Sequence, residues 1–183
     1  YKVVVQYGKY SDSVQVKVLE DPRMPIPLSE RRAKAAAVRA FHQQVETANK
    51  AYARLKEAEK TIKLVEEQFV HVPDSVKKEV VKMGKTIQDS IQVLKEAFFM
   101  QKEPKGIERN PNALNAKLFR ATGYLNDGTG TPNPTARLAE QEAVKAIQEI
   151  RDRVNALFDE PWKKYQEKAE AVRYSLFKPF NRL

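Results

Sequence analysis

Cysteine is absent from the 183 residues, which removes disulfide frameworks, thiolate zinc sites, iron–sulfur clusters and cysteine nucleophiles together. Histidine is scarce: only His42 and His71 occur. They are about 30 residues apart on one predicted helix, hence about 43 Å apart along its axis, and cannot share a metal ion. Neither follows a glutamate by three, so the two Glu-x-x-His pairs of a di-metal carboxylate bundle are missing. With six glycines, the chain has no Gly-x-Ser-x-Gly turn, and Gly128-Thr129-Gly130 lacks the lysine and helix start of a phosphate loop. No run approaches the roughly 20 apolar residues of a membrane span. Nor does a charged start precede an apolar signal core, because the chain opens in mid-strand on Tyr1-Lys2-Val3-Val4-Val5 without a methionine, as the interior of a longer polypeptide would.

Acids are present in pairs, Glu57 with Glu59, Glu66 with Glu67, and Asp159 with Glu160. Acid–base chemistry needs such groups to converge across a cleft, whereas solvated helix faces produce them routinely. The reading is therefore of no catalytic, cofactor-binding or metal residues, no cofactor, and a protein that is not an enzyme.

What is plentiful is charge. Lys and Arg number 33 against 24 Asp and Glu, a net charge of +9, with an isoelectric point near 9.6. Such a balance favours anionic partners. The bases are nevertheless interleaved with acids as on a solvated face, the run Arg31, Arg32, Lys34 is short, and aromatics do not alternate with bases as a stacking groove needs. This reads against nucleic acid, and a basic module on nucleic acid or another anionic surface stands as a rival.

Three segments differ in texture. In residues 1–21, Tyr1, Val3 and Val5 alternate with Lys2, Val4 and Gln6. Tyr7-Gly8-Lys9-Tyr10-Ser11-Asp12 supplies turn chemistry, and Val14, Val16 and Val18 alternate again, which predicts a β-hairpin. Two strands alone are marginal in water, so their apolar face needs cover. Residues 22–28 hold Pro22, Pro25 and Pro27 and read as a stiff connector. Residues 29–183 read as helices.

From Ser29, a plausible N-cap, the apolar series Val38, Phe41, Val45, Ala48, Tyr52, Leu55, Ala58, Ile62, Val65 and Phe69 steps by threes and fours to Val72-Pro73. Asp74 is placed to cap a second helix with Val76, Val80, Met83, Ile87, Ile91, Leu94 and Phe98 inward, and the short link makes the two antiparallel. Residues 102–134 are irregular around a short helix at 113–125, with Leu114, Leu118, Phe119 and Leu125 inward. Asn133 caps and Pro134 opens the last helix, with Leu138, Ala143, Ile147, Ile150, Val154, Phe158, Trp162, Tyr165, Ala169, Val172 and Leu176 inward. Because this phase survives across Pro161, a kinked continuous rod ending at Pro179 is expected. Trp162, Tyr165 and Tyr174 share a face that a sugar ring can stack on, though their helical spacing is more simply core packing. The fold class is mostly α: an antiparallel three- to four-helix bundle behind a short N-terminal β-hairpin.

This order of parts, with Glu20-Asp21-Pro22-Arg23, Pro104-Lys105-Gly106-Ile107-Glu108-Arg109-Asn110-Pro111, Gly123-Tyr124-Leu125, Pro132-Asn133-Pro134-Thr135, Trp162 and Phe180-Asn181-Arg182-Leu183, resembles the C-terminal region of large secreted bacterial proteins. These carry BNR-repeat, sortilin-like β-propellers and are often labelled glycosyl hydrolases. The resemblance implies a propeller upstream, then an immunoglobulin-like sandwich whose final strands are residues 1–21, then a helical accessory tail with no site residues. It also implies export to the periplasm, cell envelope or exterior.

The expected function is thus a non-catalytic structural or protein-interaction module. Its partners are the upstream domains of the same polypeptide, and another protein or a second copy through the helix faces. A carbohydrate-binding accessory near Trp162 is a further rival.

Overall fold

The computed structural model describes residues 1–99 and 112–172. Chain order is β1 (Lys2–Tyr7), β2 (Tyr10–Gln15), α1 (Leu28–Gln68), a 3-10 turn (Phe69–His71), α2 (Asp74–Phe98), α3 (Leu114–Asn126), α4 (Pro134–Asp159) and α5 (Pro161–Glu170). The fold class is the one the periodicity predicts, mostly helical with a two-stranded N-terminal hairpin.

At 41 residues, α1 is a spine about 61 Å long. Its whole predicted inward series is buried or half-buried. Two further rods lie along it. α2 and then α3 run back down: Phe98 packs on Tyr52 with ring centroids 5.2 Å apart, and at the end of α3 the carbonyls of Asn126 and Asp127 accept from Lys34 Nζ at 2.9 and 3.1 Å. α4 and then α5 run up again, since Phe158 lies under the Arg54 guanidinium and Tyr165 is buried beside α2 and the Ile62 end of α1. The bundle is therefore three rods, two of them interrupted. Its larger core joins the C-terminal half of α1 to α2, α4 and α5. A smaller one gathers Phe41 with Ala121, Leu125, Ala136, Ala139 and Ala143.

Both helix starts differ from expectation. α1 begins at Leu28, and Pro27 rather than Ser29 stands at the N-cap, its carbonyl accepting from the N–H of Glu30 and Arg31. Pro73 does the same before α2, so Asp74 lies in the first turn, where its charge suits the helix dipole and meets Lys77 at 3.1 Å. Prolines with ψ near 140° lead directly into both helices. Asn133 does cap α4, its Oδ1 accepting from Ala136 N at 2.8 Å, with Pro134 at the first position.

Three predicted core residues face solvent: Val76 at 49%, Phe119 at 84% and Leu138 at 58% exposure. In α4 the buried positions of the first turns are Ala136, Ala139 and Ala143, small side chains that let this end come close to Phe41. Pro161 also acts differently from expectation. It ends one helix and starts another, because Glu160 at φ −129° leaves helical geometry and Pro161 takes the N-terminal position that needs no N–H donor. The apolar face nonetheless continues, with Phe158 to Trp162 at 5.5 Å and Trp162 to Tyr165 at 5.7 Å. Leu176, Tyr174 and Pro179 lie outside the described residues, as do the segments 104–111 and 180–183 of the family resemblance.

The connector is tied at both ends. Asp21 accepts from Arg23 N, Nε and Nη2 at 2.9, 3.0 and 2.8 Å, and Glu20 meets Arg31 of α1 at 3.0 Å. The loop before α4 closes on the same place, for a Cβ added at Gly130 would lie 2.8 Å from Glu30 Oε2 and 4.0 Å from Ile26 Cγ2.

Candidate functional site

The hairpin has one tight turn. Gly8-Lys9 connects the strands, with Gly8 at φ 56° and no non-glycine residue at positive φ among the described residues. A positive φ at the first central position only is the pattern of a type II′ turn, whose twist matches that of the strands. Asp12, expected in the turn, is in β2 opposite Val5, and Tyr7 and Tyr10 face each other across the first rung. The Tyr-Gly-Lys-Tyr spacing carries that signal, a glycine turn between two aromatic β-formers, and it goes unnoticed when all six residues are read as turn. Val18, expected to continue the second strand, follows its end at Gln15.

The register sorts the side chains cleanly, since directly opposed residues share a face. Tyr1, Val3, Val5 and Tyr7 with Tyr10, Val14 and Val16 make one face, interrupted only by Asp12. Lys2, Val4 and Gln6 with Ser11, Ser13 and Gln15 make the other. Every residue of both strands is exposed, Tyr7 at 84% and Tyr10 at 68% on the apolar face. By contrast the helical body has its own closed core, in which no hairpin residue takes part. The hairpin thus presents tyrosine and valine side chains on one exposed face.

The other candidate places are differently built. Trp162 borders a groove of about 360 Å³ with Arg54, Glu57, Thr61, Phe158, Lys163 and Gln166. The rings there pack on each other at a tilt, and the Arg54 guanidinium stacks 4.0 Å from the Phe158 centroid. Tyr165 is fully within the core, its hydroxyl pushed up to about 12 by burial and then by the nearby Glu66 carboxylate.

Of the paired acids Glu59 and Glu66 are half-buried and Glu57, Glu67, Asp159 and Glu160 are exposed. Glu59 pairs with Lys95 at 3.0 Å across α1 and α2, and Glu160 is held below the usual carboxylate range by its hydrogen bond and proximity to Lys164, opposite to what a general acid requires. His42 and His71 are both exposed, one in the N-terminal half of α1 and one in the 3-10 turn beyond it. Among the described residues no group of three or more His, Cys, Asp or Glu side chains is arranged to hold a metal ion. No described helix is long and apolar enough to cross a membrane.

No family model matches the chain, and neither does any curated protein or solved structure.

Proposed function

We propose that this chain is a non-catalytic structural or protein-interaction module of a larger exported protein, with the helical bundle as an accessory tail and β1–β2 as the last strands of a preceding immunoglobulin-like sandwich. The observation that carries this reading is the amphipathic hairpin with its apolar face in water. A sheet of two strands cannot close a core by itself, and the helical body completes its packing without it. The resemblance to the tails of BNR-repeat, sortilin-like propeller proteins supports the same arrangement and the proposed periplasmic or cell-envelope location.

A neighbouring domain in the same polypeptide is present at high effective concentration and covers such a face without the affinity that a separate chain needs.

The mass and location of the natural protein test this reading. Immunoblotting and mass spectrometry of fractionated source cells are expected to show a species far above 21.0 kDa in an exported fraction. A free species near that mass in the cytoplasm contradicts it and moves a small basic helical binder to the front.

A further inference from the structure

The turn that follows α3 brings a carboxyl and an ammonium onto one peptide bond. Gly128 N donates to Asp127 Oδ1 at 2.9 Å, so this nitrogen is held against the carboxyl of the residue before it. Lys34 of α1 donates from Nζ to the carbonyls of Asn126 at 2.9 Å, Asp127 at 3.1 Å and Gly128, which uses all three of its protons. Asp127 O and Gly128 N belong to the same amide. Its nitrogen thus faces a carboxyl and its oxygen an ammonium, and both Asp127 and Gly128 are exposed. Gly128 is at φ 64° with open space where a Cβ would stand, so no side chain of its own shields the nitrogen.

We propose that Asp127-Gly128 is a self-modification site, at which the chain isomerises Asp127 to isoaspartate with the Lys34 ammonium as electrophilic partner. Ring closure forms a bond from Gly128 N to Asp127 Cγ. The amide proton and one oxygen of the protonated carboxyl leave together as water, giving a succinimide. Negative charge that builds on the attacking amide is shared with Asp127 O, where Lys34 already donates, the placement that stabilises a developing oxyanion. Water then attacks the main-chain carbonyl carbon of Asp127, which the same ammonium polarises, and the bond from that carbon to Gly128 N breaks. The nitrogen stays on Cγ and takes up a proton, while the former carbonyl becomes a carboxylate facing Lys34. One water leaves and one enters, so mass and formal charge are unchanged and no co-reactant is needed.

The other aspartates lack part of this arrangement. Asp21 precedes Pro22, which has no N–H to attack with. Asp74, Asp89, Asp152 and Asp159 belong to helices. Asp12 is the nearest counterpart, since Ser13 N donates to its Oδ1 at 2.7 Å. It lies within β2, its successor carries a side chain, and no ammonium meets its carbonyl among the described residues. Asn126 is set apart in another way, because the nitrogen that follows it, Asp127 N, donates to Gly123 O at 3.0 Å.

Incubation of the chain in heavy-oxygen water at mildly acidic pH, followed by peptide mapping, tests the assignment. Each ring that opens takes up one labelled oxygen, so labelled isoaspartate and labelled aspartate at position 127 are both counted. The folded chain is expected to close the ring at Asp127 several-fold faster than the same chain unfolded in urea, where Lys34 has left the turn. Equal or slower closure in the folded chain overturns the proposal, because an Asp-Gly pair reacting on its own needs no fold. Lys34→Met is expected to slow closure several-fold and to lower the share of isoaspartate among the labelled products. A looser turn changes the rate but not that share, so an unchanged share, or an unchanged or higher rate, overturns the role of Lys34.

Discussion

Glycine in mid-helix costs about 1 kcal/mol relative to alanine, yet Gly84 stands in the middle of α2. A Cβ there would lie 3.3 Å from both Ile62 Cγ2 and Tyr165 Cε2, so the missing side chain is what lets the Tyr165 ring lie between α1 and α2. Gly84→Val is expected to lower unfolding stability by about 1–3 kcal/mol through overpacking and β-branching, read as a shift in urea midpoint. An unchanged or higher midpoint contradicts the close approach. Tyr165 itself gives a pH dependence. Its hydroxyl is raised from 10.0 to about 12 in the folded protein, so below pH 10 both states hold the proton, and above it the unfolded chain releases first. Stability contributed by the neutral phenol is therefore present below pH about 10 and lost as pH rises to about 12. Comparison of the wild type with Tyr165→Phe isolates this from the lysines that titrate nearby: the wild type is expected to lose more stability than the variant over that window, and equal losses contradict the burial of the hydroxyl. Tyr165 is legible in the sequence as an inward residue from its spacing after Phe158. Gly84 is not, because a helical pattern registers a glycine as a gap in hydrophobicity and says nothing of what approaches it.

At the scale of the element, the helices follow from steps of threes and fours, and α1 obeys that pattern from Val38 to its C-terminal end. The failures fall where an apolar side chain competes with alanine. Leu138 outweighs Ala136 and Ala139 on any hydrophobicity scale, but the buried positions are decided by how near α4 comes to Phe41, and only small residues allow that approach. The caps divide in the same way. Asn133 is recognisable because asparagine before proline is both a cap and a start signal, whereas Pro27 and Pro73 displace the polar residues that follow them. Asn133→Ala is expected to cost about 1 kcal/mol, measured by thermal or chemical unfolding, while Ser29→Ala, which removes no cap, is expected to fall within about 0.5 kcal/mol of wild type. A larger loss at Ser29 than at Asn133 contradicts the observed helix starts.

For the whole molecule, the division between hairpin and helical body is what matters most. Its outline is legible in the change from period two to steps of threes and fours across Pro22, Pro25 and Pro27. The two faces of the hairpin are legible as alternation, but the bond from Ser13 N to the Asp12 carboxylate is not, since it depends on where that side chain turns. No hairpin residue enters either helical core, so a chain beginning at Glu20, which keeps the Glu20–Arg31 pair, is expected to retain its helical circular dichroism and melt within a few degrees of the full chain. Loss of cooperative melting contradicts an independent body.

The exposed rings of Tyr7 and Tyr10 give the most direct reading of the proposed role. Hydroxyl-radical footprinting compares their oxidation in the isolated 183-residue chain and in the natural full-length polypeptide, with exposed Phe119 as the internal reference. Oxidation of both tyrosines several-fold slower in the full-length protein, with Phe119 unchanged, is the predicted result; equal oxidation in the two contradicts the claim that this hairpin belongs to a larger sheet.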